Sequence, residues 1–298
     1  MSYMNQSLQN LFWDIMSWGL DPAVVNIFHK IQIDQANKQK QNIPYQFPEP
    51  WNGDIENASL IFVGLNPSFD PNEVFPFDDS LEKKPWWTTK QNAPNSISIH
   101  GISLNKKNIE DFFEKRFFNA IYYEKTYIQK DNNGLRVLLH NGNYGKSVRY
   151  LNFLEKVMQF ELKNEQAKMG KDCALLEILP CKSKLCKGMN KEIIYDFVNT
   201  HFKKLLEYLL NGETETRTFV VFGRKSAETF YNIIKSLDDN SANPSSDFAS
   251  DFDDIWGKRR LEALEASIFG KQIKVVFSYH SSARNFSFEK YKDIRNHF

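Results

Sequence analysis

The stretch SLIFVGL at residues 59–65 is rich in apolar side chains, and these do not alternate with polar ones. Such a short run is typical of a β-strand that is buried on both faces of a sheet. Three more runs have the same character: DCALLEIL at 172–179, TFVVFG at 218–223 and IKVVFSY at 273–279. Together the four runs predict four buried strands.

Segments with a helical pattern lie between these runs. In these segments apolar residues recur every three or four positions. The segments are 109–120, 148–158, 191–210 and 226–237. Strands that alternate with helices predict an α/β fold of three layers, α/β/α, around a central and mainly parallel four-stranded sheet. Ligands of such sheets bind beyond the carboxyl ends of the strands. The residues directly after each run are therefore the candidates for a functional site.

Three segments lie outside this pattern, and we expect them to elaborate a single domain that spans 1–298. Residues 1–57 predict an N-terminal extension that packs on the outside. Residues 78–147 are long for one crossover and predict an insert. Residues 238–254 are acidic and rich in serine, which predicts a mobile surface loop. The extension begins with an amphipathic helical pattern, formed by Leu8, Leu11, Phe12, Ile15 and Met16.

The composition excludes several classes of protein. Hydrophobic residues make up 41% of the 298 residues and aromatic residues 14%, which rules out a wholly disordered chain. The 38 basic and 37 acidic side chains nearly cancel, so the total charge does not point to a nucleic-acid partner. A local basic groove remains compatible with that balance.

The three cysteines, Cys173, Cys181 and Cys186, cannot all pair with one another and are typical of reduced thiols in a cytoplasmic protein. They are too few for a four-cysteine metal site, and we expect neither a metal nor a cofactor. No window approaches the roughly 20 apolar residues of a membrane-spanning helix, so we expect no membrane partner. The sequence predicts a cytoplasmic monomer.

The sequence VGLNPSFDP at 63–71, followed by VFPF at 74–77, stands at the end of the first predicted strand. Gly64 allows the chain to turn sharply, and Pro67 stiffens the turn behind Asn66. This pair of motifs resembles the first motif of the uracil-DNA glycosylase superfamily. It is most similar to the mismatch-specific branch, whose motif reads Gly-Ile-Asn-Pro-Gly with Phe-Pro-Phe downstream.

Three further segments resemble later motifs of the superfamily, in the same order. LLEILPCKSK at 175–184 resembles the second strand and its basic turn, and TFVVFGRKSAETF at 218–230 resembles the third strand and its helix. VVFSYHSSARNFS at 275–287 is similar to the closing motif, a strand followed by His-Pro-Ser and a loop that inserts into DNA. Ser281 stands where that motif has proline.

The resemblance implies a catalytic pair. Such an enzyme flips a nucleotide out of the DNA helix and breaks its N-glycosidic bond. Asn66 would hold the attacking water through its amide oxygen, and it would position the water because an amide does not accept a proton at neutral pH. His280 would act as a neutral donor that stabilises the departing base. An asparagine that caps a turn and a histidine that packs at the surface are the alternative interpretations.

Four residues are implied to line the pocket for the flipped base. Gly64 and Leu65 would lie at the strand end, and Phe77 would stack on the base, although core packing is the other explanation for a phenylalanine. Ser68 occupies the position at which uracil-specific enzymes have a tyrosine that blocks substituents on C5. The small serine predicts that a base enlarged at C5 can enter.

Glu177 is the most informative departure from the family pattern, because an asparagine that reads uracil often stands at this place. An ionised glutamate only accepts hydrogen bonds and suits the amino group of cytosine. A protonated one could donate to N3 of the base and help cytosine leave. The alternative is a salt bridge to Lys182 or Lys184. Together with Ser68, Glu177 points to a cytosine modified at C5, a kind of base that is common in bacteriophage DNA.

Residues that follow the strands also predict contacts to DNA phosphates. Basic side chains cluster there on a chain with almost no net charge, which favours a local groove over separately solvated lysines. The serines of the last motif would contact phosphates near the flipped nucleotide. The predicted DNA-binding residues are Lys182, Lys184, Arg224, Lys225, Ser281, Ser282 and Arg284.

We therefore predict a monofunctional DNA glycosylase that hydrolytically excises a C5-substituted cytosine and leaves an abasic site. The sequence leaves open whether DNA repair or defence against bacteriophage is its setting. A uracil or mismatched-thymine glycosylase of base-excision repair is the first alternative. The second is a nucleic-acid-binding module that has kept the fold and lost catalysis, since the proline of the last motif is absent. A nucleotide-dependent Rossmann enzyme is disfavoured, because Gly64 opens no G-x-G-x-x-G.

Overall fold

The computed structural model describes most of the chain outside the predicted insert. The described residues are 6–19, 21–35, 48–67, 149–183, 191–212, 216–240, 242–243, 246–280 and 286–298, together with the backbone of six strands between residues 96 and 147. The predicted helix at 109–120 lies outside the described residues.

The described part of the chain contains twelve strands and eight α-helices. In chain order, strands β1 to β12 are Trp51–Asn52, Leu60–Gly64, Ser96–Ile99, Ile102–Asn105, Ile121–Tyr123, Thr126–Lys130, Arg136–His140, Asn143–Ser147, Cys173–Glu177, Arg217–Phe222, Ala263–Ile268 and Lys271–Ser278. Helices α1 to α8 are Gln6–Gly19, Pro22–Gln35, Arg149–Glu161, Lys191–Phe197, Lys203–Leu210, Arg224–Leu237, Phe252–Lys258 and Phe288–Arg295. A π-helical turn, Val198–Phe202, joins α4 to α5. Among the described residues, no helix is long and apolar enough to cross a membrane.

Strands β9, β2, β10 and β12 form the parallel centre of a six-stranded sheet, whose order is β1-β9-β2-β10-β12-β11. They correspond to the four predicted apolar runs, which confirms the α/β class and the parallel centre. The predicted count of four strands is wrong, because β1 and β11 add antiparallel strands at the two edges. β1 has only two residues and β11 has the mixed sequence ALEASI, so neither shows the apolar run of a central strand.

Each face of this sheet carries a hydrophobic core. In β2 the side chains of Ile61 and Val63 enter one core, and those of Leu60 and Phe62 enter the other. Alternate residues point to opposite faces of a strand, so an unbroken apolar run fills both cores at once. Helices α1, α2, α4, α5, α6 and α7 contribute to the first core, and α3 and α8 contribute to the second. Helices therefore cover both faces.

The N-terminal extension contributes to the core, whereas the sequence predicts that it packs on the outside. The predicted amphipathic helix is present as α1, and α2 follows it. Phe12 and Phe28 are fully buried, and the ring of Phe12 meets that of Trp51 edge to face at a centroid distance of 5.3 Å. Large aromatic side chains of this kind contribute most when they are covered, which explains why the extension joins the fold.

The described part of segment 238–254 packs against β11, which does not match the predicted mobile loop. Phe248 is fully buried. Asp238 is also buried, and it accepts hydrogen bonds from the hydroxyl of Ser246 at 2.8 Å and from the backbone N–H of Ser267 at 3.2 Å. A buried ring and a buried carboxylate thus anchor a segment whose acidic, serine-rich composition is typical of a loop.

Segment 78–147, the predicted insert, contains strands β3 to β8. β3 and β4 form an antiparallel pair, and β5 to β8 form a four-stranded antiparallel sheet in chain order. Among the described residues, these strands do not join the central sheet. The carboxyl edge of the central sheet is therefore built from other parts of the chain.

Candidate functional site

The carboxyl ends of the four parallel strands stand side by side at one edge of the sheet. The register pairs Gly64 of β2 with Glu177 of β9, and Phe222 of β10 with Ser278 of β12. Ligands of α/β sheets bind at this edge, where the chain turns away from the strands. The predicted catalytic residues therefore belong to one place in the fold.

Asn66 and His280 stand on opposite sides of the end of β10. Each lies two residues beyond its strand, Asn66 after β2 and His280 after β12. Neighbouring strands are about 4.8 Å apart, so β2 and β12 are separated by about 10 Å with β10 between them. Gly223 follows β10 directly and has no side chain, and a Cβ built on it would lie 3.7 Å from His280. His280 therefore packs close to the backbone at the end of β10.

The side-chain amide of Asn66 is held by the turn at 181–183. Its Nδ2 donates to the carbonyl of Pro67 at 3.0 Å and to the carbonyl and the hydroxyl of Ser183, each at 3.1 Å. The carbonyl of Cys181 accepts a longer bond of 3.4 Å. Carbonyl oxygens only accept hydrogen bonds, so the group that faces them is the NH2. The amide oxygen is therefore the end of the side chain that points away from these carbonyl groups.

Backbone hydrogen bonds hold the chain on both sides of Asn66. The N–H of Leu179 donates to the carbonyl of Leu65 at 2.8 Å, and the N–H of Ser183 donates to the carbonyl of Pro67 at 3.2 Å. These bonds continue the pairing of β2 with β9 beyond the sheet. Leu65 is partly buried and packs against the first core, so the strand tip is anchored by main chain and side chain together.

Glu177 is buried at the end of β9, against Gly64. Only 7% of Glu177 is exposed, and among the described residues its Oε2 has no hydrogen-bond partner. A Cβ on Gly64 would overlap with this oxygen, so the absence of a side chain there makes room for the carboxyl group. Burial raises the pKa of Glu177 to about 8, and the positive charge of Lys182 opposes this only in part. Glu177 is therefore mostly protonated at neutral pH and carries an O–H donor.

Lys182 is buried, which corrects the prediction that it contacts DNA. Only 1% of its side chain is exposed, and its Nζ lies 2.5 Å from Oε1 of Glu49, which is also buried. Gln32 donates to the backbone carbonyl of Lys182 at 3.3 Å. A lysine after a strand is usually solvated, but here two residues of the N-terminal extension cover it. The extension thereby supports the turn that holds Asn66.

Tyr150 is a polar side chain near Glu177 that sequence reasoning missed. It lies in the first turn of α3, and burial, with a smaller effect of the charge on Glu177, raises the pKa of its hydroxyl above the ordinary value. The phenol therefore stays a neutral donor at physiological pH. No motif marks this residue, since α3 comes directly after the insert and only the fold brings it to β9.

His280 is exposed beyond the end of β12. Partial burial of its ring lowers the pKa of the imidazole below its ordinary value. The neutral ring that results can donate a hydrogen bond through one nitrogen and accept through the other. This is the protonation state that the resemblance implies for the residue.

Arg224 and Lys225 lie in the first turn of α6, directly after β10, and both are exposed. The guanidinium of Arg224 pairs with Asp253 of α7 at 2.7 Å. An exposed pair of this kind is weak, so Arg224 can exchange Asp253 for a phosphate group. Both side chains are exposed at the sheet edge, and their contact with DNA stays a prediction.

Six predicted site residues lie outside the described residues, and their roles stay predictions. They are Ser68, Phe77, Lys184, Ser281, Ser282 and Arg284. Within the part of the chain that the structure describes, no three His, Cys, Asp or Glu side chains are grouped as a metal site.

The raised pKa of Glu177 predicts how the stability of the protein depends on pH. In the unfolded chain the carboxyl group ionises near 4.5, whereas the folded protein keeps the proton up to a pKa of about 8. Because the folded state binds more protons between these values, this group lowers the free energy of unfolding by about 1.4 kcal/mol per pH unit as the pH rises. Glu177→Gln cannot ionise, so we expect it to lose this slope and to be more stable than wild type at pH 8.

Urea denaturation of both proteins between pH 4.5 and 8 measures this difference. Glu228→Gln makes the same change at an exposed position of α6 and should keep the wild-type profile. Parallel profiles for wild type and Glu177→Gln would mean that Glu177 ionises in the folded protein as easily as in the unfolded chain.

No protein-family model matches the chain, and no curated protein matches it.

Proposed function

We propose that the protein is a monofunctional DNA glycosylase, which flips a base out of DNA and cleaves its N-glycosidic bond with water. The orientation of Asn66 is the observation that carries this proposal. Its NH2 group is engaged by the turn at 181–183, so its amide oxygen is the end that can accept from a water molecule. An acceptor held in one orientation places a water without having to deprotonate it.

A water that is positioned but not deprotonated is a weak nucleophile. It suits a reaction in which the bond between base and sugar breaks before the water attacks. Positive charge then develops at C1′ of the sugar, and a neutral water is nucleophile enough. The water oxygen forms the new bond to C1′, and the proton that it loses passes to solvent. The products are an abasic site and a free base.

His280 stands across the end of β10 from Asn66, where it would face O2 of the departing base. Its lowered pKa favours the neutral ring, which can donate one hydrogen bond to this oxygen as negative charge develops. A single donor of this type typically contributes about 10²–10³-fold to the rate.

The protonated carboxyl group of Glu177 favours a base of the cytosine type. Its O–H can donate to N3 of cytosine, while its other oxygen accepts from the N4 amino group. When the bond to the sugar breaks, its electron pair stays on the base and the proton of Glu177 passes to N3, so cytosine leaves as a neutral molecule. Solvent then returns a proton to Glu177. Uracil already carries a hydrogen on N3, so it can pair with Glu177 but gains no proton there.

The preference for a substituent on C5 rests on Ser68 and on the resemblance. A serine in place of the blocking tyrosine leaves room beside C5 of the flipped base. Cytosines enlarged at C5 occur in bacteriophage DNA, and their removal would damage that DNA. We therefore propose a C5-substituted cytosine as the substrate and defence against bacteriophage as the setting.

Base release from defined duplexes tests the proposal. Duplexes that differ only in the target base carry hydroxymethylcytosine, cytosine, uracil, or thymine opposite guanine. Alkali after incubation cleaves the strand wherever a base has been removed. We expect the fastest release from hydroxymethylcytosine. Fastest release of uracil or thymine would identify a repair enzyme, and release from no duplex would favour a binding module without catalysis.

Glu177→Gln should slow the release of hydroxymethylcytosine by about 10²–10⁴-fold, the usual contribution of a general acid. Glutamine keeps a donor and an acceptor but has no proton to give up, so any release of uracil should change by no more than a few fold. The wild-type rate on hydroxymethylcytosine should also fall above pH 8, where Glu177 ionises. Because the same substitution is expected to stabilise the fold at that pH, unfolding cannot explain the loss. An equal effect on the rates of release of both bases would show that Glu177 does not determine which base is the substrate.

A further inference from the structure

The guanidinium of Arg260 lies over two aromatic rings beside the end of β12. The carbon of its guanidinium lies 3.8 Å from the ring centroid of Tyr279 and 5.1 Å from that of Trp256. These two rings meet edge to face, with their centroids 6.2 Å apart. A guanidinium over the face of an aromatic ring is attracted by the ring electrons, and this contact restricts the side chain.

Arg260 has no ion-pair partner among the described residues, which sets it apart from its neighbour Arg259. The guanidinium of Arg259 lies 2.5 Å from Asp247 and 2.7 Å from Glu262 and is thereby occupied. The guanidinium of Arg260 can therefore donate to another acceptor. The planar pair of N–H groups matches two oxygens of a phosphate.

The guanidinium of Arg260 lies at the same sheet edge as the candidate site. Tyr279 directly precedes His280 in the chain. The ring of Tyr279 also lies 5.0 Å from that of Phe286. Arg260 and His280 are thus brought together by adjacent residues at the end of β12. A phosphate bound by Arg260 would therefore belong to DNA that occupies the site.

We infer that Arg260 binds a backbone phosphate of the DNA strand that carries the target base. The inference rests on the proposed glycosylase function and names a further part of the same site. Contact with the two rings restricts the guanidinium before DNA arrives, so less side-chain freedom is lost on binding. Sequence reasoning missed Arg260 because it follows a helix rather than a strand end.

Binding of a fluorescent duplex without a target base, followed by anisotropy over a range of salt concentrations, tests the inference. Arg260→Gln should weaken binding about fivefold and reduce the slope of log Kd against log salt by about one. Lys171→Gln removes the same charge from an exposed residue just before β9, at the opposite end of the parallel strands. This control should bind as wild type does.

Neutral methylphosphonate linkages, placed one at a time, locate the phosphate. At one linkage the wild type should lose about fivefold in affinity, while Arg260→Gln should lose nothing there. Arg260→Lys keeps the charge without the planar fork, so it should retain the wild-type salt slope at lower affinity. If Arg260→Gln fails to fold, Arg260→Lys still tests the inference through its lower affinity at an unchanged salt slope.

The outcomes separate the inference from the proposed function. Equal affinity and salt slope for wild type and Arg260→Gln, or equal sensitivity of both to every neutral linkage, would overturn the role of Arg260 alone. A wild-type protein that shows no salt-dependent binding to DNA would overturn the proposed function and this inference together.

Discussion

Asn66→Ala should lower the rate of base release by about 10³-fold or more, while the affinity for DNA stays within about twofold of wild type. The alanine removes the amide whose NH2 group is anchored to Ser183 and Pro67, and with it the acceptor that would orient the water. No contact to phosphate is changed. Single-turnover base release and anisotropy, measured on the same duplex, separate the two effects.

Asn199→Ala is the matched control for this prediction. Nδ2 of Asn199 also donates to a backbone carbonyl, that of Tyr195 at 2.9 Å, but it lies on the π-helical turn and not at a strand end. This variant should release bases and bind DNA as wild type does. Wild-type turnover by Asn66→Ala would show that Asn66 only caps its turn, and the proposed function would lose its main support.

Lys182→Met should lower the free energy of unfolding by about 3–5 kcal/mol, because it breaks a buried ion pair. Methionine occupies a similar volume, but it leaves the carboxylate of Glu49 buried without its cation. Urea denaturation measures the loss. Since Lys182 belongs to the turn that holds Asn66, we also expect slower base release from the molecules that remain folded.

Two comparisons test whether the buried pair is the cause. The double variant Glu49→Gln/Lys182→Met removes both charges and should recover much of the lost stability. Lys258→Met removes one partner of an exposed pair with Asp254, whose charged atoms lie 2.9 Å apart, and should cost less than about 0.5 kcal/mol. An equally small loss for Lys182→Met would mean that burial adds nothing to the pair with Glu49.

Apolar runs identify the inner strands because a strand buried on both faces has no position for a polar side chain. β2, β9, β10 and β12 accordingly fall on the predicted runs. β11 escapes this criterion because its buried side chains, those of Leu264, Ala266 and Ile268, stand at alternate positions among more exposed ones. Their period of two is a signal that could have found it. β1 is too short for any pattern.

The candidate site was predictable in position but not in environment. Asn66, Glu177 and His280 follow three different strands, and parallel strands bring their carboxyl ends to one edge. The burial of Lys182 depends on Glu49, which comes from a distant part of the chain and is linked to it by no local pattern. Local sequence shows which side chains follow a strand, whereas their charge depends on what packs over them.

The hydrogen bond between Asn66 and Ser183 has a consequence for the order in which the chain folds. The two residues are 117 positions apart in sequence, so their contact closes a loop that contains the whole insert. Contacts of such long range form slowly, since the chain loses the entropy of the loop before the contact contributes any stability. A nascent or partly folded chain can therefore build helices and hairpins without building this site. Any activity at the sheet edge should appear only with the last and slowest phase of folding, and it would report that the central sheet is complete.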